Sequence, residues 1–270
     1  MPRGGRGRDP RGRGVRRLRA PLVLALALAA GTAAAEPAPR PYLKDGALDA
    51  GAILPPPPKP GSAGHASDAA TYAATRALAG SPRWYLATSD VPSGVGALLD
   101  DFSCAAGRRL DPAGLPALAA LLARARRDVV AQVRDAKARF ARPRPHLGND
   151  APLCVDRSEA LDRSFAYPSG HATEGWTFGL VLAALMPERA APLLARARIY
   201  GESRTVCGVH WASDVEAGRM TGSALFAALV GDPAFRADLD RARDELATAP
   251  VGPAPEPAAC AREAAAVSTP

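Results

Sequence analysis

The sequence predicts an all-α protein built as a single-domain helical bundle. Three observations carry this. Apolar residues recur at helical spacing over several long stretches. Proline and glycine punctuate those stretches where helices would start and stop. Alternation of apolar and polar residues, the mark of a half-buried strand, is scarce throughout.

Taken in order, residues 1–35 read as an export signal. Eight arginines precede an apolar run from Pro21 to Ala30, and Ala33-Ala34-Ala35 offers a small-residue cleavage site. The mature chain is then expected in the periplasm or outside the cell, cut near Ala35. Residues 36–62, rich in Pro and Gly, read as an extended arm. The helical domain is placed at 63–247. Ser67 or Asp68 can cap a first helix running to about Leu78, and Gly80-Ser81-Pro82 breaks the chain. A second helix is expected from Ser93 to Ala106.

The clearest periodicity follows. Leu118, Leu122, Ala125, Val129, Val133, Ala136 and Phe140 form one apolar stripe on a long helix. Pro143 and Pro145 end it, because the residue before a proline is pushed out of the helical region. Residues 146–166 read as a loop. Ser169 then caps a helix from Gly170 to about Leu185, Pro187 opens another to about Tyr200, and a further one covers Trp211 to about Val230. Phe235, Leu239, Ala242 and Leu246 mark the last. The Ala- and Pro-rich tail, 248–270, is expected to be disordered.

Charge narrows the partners. The chain carries 34 basic and 27 acidic residues, a formal +7. The leader holds eight Arg and one Asp, which leaves 26 basic and 26 acidic residues in the remainder. A neutral mature chain has no global field to attract nucleic acid or an anionic membrane. After the leader, no apolar run reaches the roughly 18–20 residues of a membrane span.

Four cysteines, Cys104, Cys154, Cys207 and Cys260, allow three disulfide pairings in an exported chain. Cys104 with Cys154 is the preferred one, tying the first half of the bundle to the loop. Cys207 reads as a small buried residue. With four His and no Cys/His cluster at ligand spacing, no metal site is expected.

Three stretches carry chemistry. Lys137 to Pro145 reads K-x6-R-P, Pro168 to His171 reads P-S-G-H, and Ser203 to Asp214 reads S-R-x5-H-x3-D. Within the last, an Asp one turn beyond His210 can fix the imidazole tautomer that leaves the other nitrogen free to attack. Gly208 offers a break, so that Arg204 and His210 converge across a turn. Ser169 and Gly170 precede a helix, whose first N–H groups bind anions.

In this order the three motifs resemble the type 2 phosphatidic acid phosphatase superfamily, which includes lipid phosphatases, vanadium haloperoxidases and bacterial acid phosphatases. The segments Leu54-Pro55-Pro56-Pro57-Pro58, Gly80-Ser81-Pro82-Arg83-Trp84 and Gly201-Glu202-Ser203-Arg204 look like the class A bacterial nonspecific acid phosphatases. Two departures flank the pocket and bear on substrate preference. Ala172 stands where that class has Thr, and Phe165-Ala166 replace Gly-Ser.

The resemblance implies a helical bundle of that superfamily's type, with the arm packed on its body. It implies hydrolysis of small phosphate monoesters, without cofactor or metal, through a phosphohistidine. His210 would be the nucleophile, Asp214 its orienting carboxylate and His171 the general acid and base. Lys137, Arg144, Ser169, Gly170 and Arg204 would hold the phosphate. Vanadate, a mimic of the phosphoryl transition state, would bind as an inhibitor. A homo-oligomer is compatible with the resemblance. Arg134, Arg139 and Arg142 fall outside the motif and read as solvated surface charges; His65 and His146 read as loop residues. The rival readings are a vanadium-dependent haloperoxidase and an inactive exported phosphate-binding helical protein.

Overall fold

The computed structural model describes residues 40–250 and 254–268. The expected leader and the start of the arm lie outside the described residues. Eleven α-helices follow one another among them: α1 (Ala50–Ile53), α2 (Ala63–Arg76), α3 (Pro82–Ser89), α4 (Val95–Ala106), α5 (Pro116–Phe140), α6 (Glu159–Arg163), α7 (Gly170–Leu185), α8 (Ala190–Val206), α9 (Ala212–Gly231), α10 (Pro233–Thr248) and α11 (Pro257–Ser268). A 3-10 turn, Pro187–Arg189, leads into α8. No strand occurs among the described residues, as the scarcity of alternation predicts. No described helix is long and apolar enough to cross a membrane.

The centre of the bundle is α7. Its buried residues run right around the helix, from Ala172 and Thr173 through Phe178, Val181 and Leu182 to Leu185. A helix buried on every face needs neighbours on every face. It has them in α5, α8 and α9. The approach to α8 is close enough to dictate sequence: a Cβ at Gly175 would lie 2.3 Å from the Tyr200 ring, and one at Gly179 2.5 Å from Ala197 Cβ. On α5 the apolar stripe is buried from Leu118 through Ala136, and Phe140 packs at its end. Each fully buried Leu or Phe of this core is worth about 1.5–3 kcal/mol of transfer free energy. The chain leaves α5 through Ala141 in the left-handed region, φ 46°, just before Pro143.

The described part of the arm is packed down. Tyr42 is buried, and the N–H groups of Tyr42 and Leu43 both donate to the Asp128 carboxylate, at 2.9 and 3.0 Å. Further along, the Tyr167 hydroxyl donates to Pro55 O at 2.8 Å.

Two of the expectations that fail concern the tail and the cysteines. The first is the tail: Pro257–Ser268 is helical. Alanine carries a high helix propensity, Glu263 pairs with the buried Arg196 at 2.9 Å, and Cys260 is tied to the body. The second is the cysteine pairing. Cys104 bonds to Cys260 and Cys154 to Cys207, leaving no free cysteine among the described residues. Pairing follows proximity in space: Cys154 N donates to Cys207 O at 3.3 Å, whereas Cys104 on α4 faces α11. The bridge from Cys154 pins the segment before α6 to the turn before His210; α6 itself, capped by Ser158, lies within the stretch 146–166 expected to be loop.

Candidate active site

The site is assembled where α8 ends and α9 begins. Arg204 lies in the last turn of α8, where the helix dipole favours a cation. The chain then reverses at Gly208, whose φ of 77° favours glycine, and a Cβ there would also crowd Arg76 Nη1 at 2.4 Å. Val209 N closes the turn on Arg204 O at 3.2 Å. His210 emerges beside Arg204, and Asp214 falls in the first turn of α9.

His210 is buried, with Nδ1 3.2 Å from Asp214 Oδ2 and Nε2 3.2 Å from Arg144 Nη1. A guanidinium can only donate. Nε2 is therefore the accepting nitrogen, and Nδ1 carries the proton given to Asp214. The tautomer leaves a lone pair on Nε2, on the side of the cations. Asp214 Oδ2 also accepts the Trp211 N–H at 2.8 Å, which fixes the carboxylate at the helix start.

Around Nε2 stand three cations. Arg144 is held by Val209 O (2.7 Å) and by Ser164 O (2.7 Å) and Oγ (3.1 Å). Lys137, near the end of α5, donates to Phe165 O. Arg204 is buried, reaches only the Cys207 sulfur at 4.0 Å, and has an Nε with no hydrogen-bond partner among the described residues. Ser169 caps α7 by accepting the Ala172 N–H at 3.4 Å, and its own N–H donates to Asp214 O at 2.9 Å, which sets the start of α7 against the start of α9.

His171, in the first turn of α7, stacks on Tyr200 with ring centroids 5.9 Å apart, and its Nε2 lies 3.0 Å from Val91 O. A carbonyl can only accept, so Nε2 carries the proton in neutral His171 and Nδ1 is the nitrogen left to exchange one.

Burial first, and crowded positive charge second, shape the titration. Burial, then Arg144, Lys137 and Arg204, hold His210 well below its ordinary value. His171 is pushed down to about 3 by burial and by Arg204, Arg144 and Lys137, against the Val91 hydrogen bond. Lys137 falls to about 7 through burial, with Arg144 and Arg204 repelling it. Arg144 is lowered to about 10 by burial and Arg204, and Arg204 to about 10 by burial. Asp214 is raised to about 6 by burial, with Arg142 opposing. Lys137, Arg144, His171, Arg204, His210 and Asp214 thus interact at one centre, and Ser169 is joined to it through the Asp214 carbonyl. Surface cavities of 780 and 520 Å³ lie elsewhere and are lined by none of these residues.

Arg142 corrects the sequence reading. It is buried rather than solvated, bonding Asp214 Oδ1 at 2.6 Å and Asp68 Oδ2 at 2.7 Å. Asp68 is likewise buried inside α2, whose cap is Ser62. Arg134 and Arg139 are exposed, as expected. His146 is a fully buried loop residue bonded to Asp162 Oδ1 at 2.8 Å, and His65 sits in α2 against the Trp211 ring. Among the described residues no group of three or more His, Cys, Asp or Glu is placed to hold a metal ion.

The PAP2 superfamily model matches residues 115–236, which span all three motifs. An acid phosphatase of Zymomonas mobilis is 47% identical over 194 residues, covering 72% of this chain and 74% of that protein. Non-specific acid phosphatases of Providencia stuartii and Salmonella typhimurium are 35% and 36% identical, over 76% and 72% of this chain and 84% and 78% of theirs. With the motif residues converging on one buried histidine and relatives of this closeness along most of its length, the chain belongs to the PAP2 superfamily, among the class A bacterial non-specific acid phosphatases.

Proposed function

We propose that the protein is an exported acid phosphatase that hydrolyses a broad range of phosphate monoesters through a phosphohistidine on His210, without a metal ion. The observation that carries this is the placement of His210, its Nε2 beside Arg144 on the side of the cations and its Nδ1 backed by Asp214. Three cations that repel one another suit a dianion, which relieves that repulsion. The named activities of the relatives point the same way. Two disulfides suit an oxidising compartment.

In the first step Nε2 attacks phosphorus and the bond to the leaving oxygen breaks. His171 gives its Nδ1 proton to that oxygen, and Asp214 balances the charge gained by His210. In the second, water attacks phosphorus, His171 takes back a proton, and the P–N bond breaks, returning the lone pair to Nε2. Lys137, Arg144, Arg204 and the α7 N-terminus hold the equatorial oxygens throughout. The phosphate brings its own negative charge beside His171 and so raises its proton affinity when the acid is needed.

The test is hydrolysis of p-nitrophenyl phosphate over a pH series from acid to neutral by the purified protein, with and without EDTA. Turnover unaffected by chelator supports the reading. Activity lost to EDTA and restored by zinc or magnesium contradicts it, as does bromide oxidation by peroxide with vanadate in place of hydrolysis.

A further inference from the structure

Behind the candidate nucleophile lies a buried ion network that the motif residues do not account for. Asp68, Arg142 and Asp214 are 3%, 6% and 0% exposed. They come from three elements: α2, the exit of α5 and the start of α9. Arg142 Nη1 donates to Asp214 Oδ1 at 2.6 Å and to Ser213 Oγ at 2.7 Å, and its Nη2 donates to Asp68 Oδ2 at 2.7 Å. Asp68 closes the ring by accepting the Ser213 N–H at 2.9 Å and the Ser213 hydroxyl at 2.5 Å. The Arg142 carbonyl accepts Ala166 N–H at 2.8 Å, which ties the same residue to the strand of chain leading into Pro168-Ser169-Gly170-His171.

We propose that Arg142 and Asp68 are positioning residues for phosphoryl transfer: Arg142 holds Asp214 in the orientation and charge state that His210 requires, and Asp68 holds Arg142. The proposal rests on His210 being the nucleophile. Among the described residues the side-chain polar contacts of Arg142 are to Asp68, Ser213 and Asp214 and not to the phosphate-holding side chains, so its effect passes through Asp214.

The chemistry follows from the hydrogen-bond ledger. Ionised Asp214 can only accept, so His210 Nδ1 must donate and Nε2 keeps its lone pair. A protonated Asp214 can donate instead. Nδ1 would then accept, the ring proton would move to Nε2, and the attacking nitrogen would be blocked. The groups facing Asp214 are Arg142 and His210, with Asp68 from α2, Tyr167 from the segment before α7, and Lys137 and Arg144 from the cage. Of these, Arg142 is the strongest influence keeping the buried carboxylate charged, and Asp68 is a like charge that acts against it. Removing Arg142 leaves two buried carboxylates together, which favours protonation of one.

This gives two variants opposite signatures. Arg142→Gln should move the acid limb of kcat/KM up by about one pH unit or more. Asp68→Asn removes the like charge and should move that limb down, while lowering kcat at every pH because Arg142 is less firmly held. Arg142→Lys, which keeps a charge but loses the fork, should fall between wild type and Arg142→Gln, and serves if the glutamine variant does not fold. Affinity for inorganic phosphate should stay within about threefold in all three, since the cage is intact; the loss should appear in kcat. pH profiles with p-nitrophenyl phosphate, with thermal melts as a check of folding, decide it. Acid limbs shifted in opposite directions support the network as a positioning device. Limbs that stay in place while kcat falls equally at all pH values overturn it and leave the phosphatase reading standing. A wild-type chain with no phosphatase activity overturns both.

Discussion

The N–H of Ser169 donates to the carbonyl of Asp214 at 2.9 Å, joining the start of α7 to the start of α9 backbone to backbone. The residue that caps α7 and the residue proposed to orient His210 are therefore coupled through the backbone. Gly218 lies under this junction, and a Cβ there would stand 2.8 Å from both Ser169 O and Ala172 Cβ.

Gly218→Ala should push the two helix starts apart. Overpacking of this kind costs about 1–3 kcal/mol of stability. A displacement on the order of 1 Å can cost about 100-fold in rate, so kcat/KM should fall by roughly 10- to 100-fold although no charged group changes. Gly96→Ala is the control: nothing lies within 4 Å of its Cβ and it sits inside α4, so stability should hold or rise. Steady-state kinetics and melting temperatures check both. Wild-type activity in Gly218→Ala would show that the junction does not set the geometry of the site.

Lys137 links the cage to an acid pH range. Its ammonium is depressed to about 7 by burial and by Arg144 and Arg204. The sign is that of a cation with a lowered pKa: the charge is present below about 7 and lost as pH rises through it. A bound dianion favours the charged form, so affinity should weaken on the alkaline side. Sulfate, whose own charge is constant there, is a suitable competing anion. Its inhibition constant should rise above pH ~7 in wild type, and less in Lys137→Arg, whose guanidinium stays charged. Identical alkaline slopes would remove Lys137 as the cause.

His171 should show itself through the leaving group. An alkyl alkoxide needs a proton in the transition state, whereas p-nitrophenolate leaves without one. His171→Ala should lower phosphorylation by a sugar phosphate by about 100- to 10,000-fold, and by p-nitrophenyl phosphate far less. Rapid mixing should reveal a burst of nitrophenol if the second step is slowed as well. Equal loss for the two substrates would mean that another group is the acid.

Much of this was legible because it is local. The stripe on α5, the cap at Ser169 and the Arg204–Gly208–His210 turn each lie within a few residues, and helix geometry carries them to their place. The parts that were not legible depend on partners far along the chain. Arg142 looks like its exposed neighbour Arg139 until Asp68, 74 residues away, is brought beside it. The two disulfides close separations of 156 and 53 residues, and the C-terminal helix keeps its place through one of them. No periodicity or spacing records such pairings; only the packed fold does.

The central claim is that phosphate passes through His210. Brief mixing of the mature chain with 32P-labelled p-nitrophenyl phosphate, quenched in base, should trap an acid-labile, base-stable phosphoprotein, and peptide mapping should place the label on His210. His210→Ala should form none and turn over nothing, while His171→Ala should accumulate it. Label on His171 in the wild-type chain, or an active His210→Ala enzyme, would contradict the account.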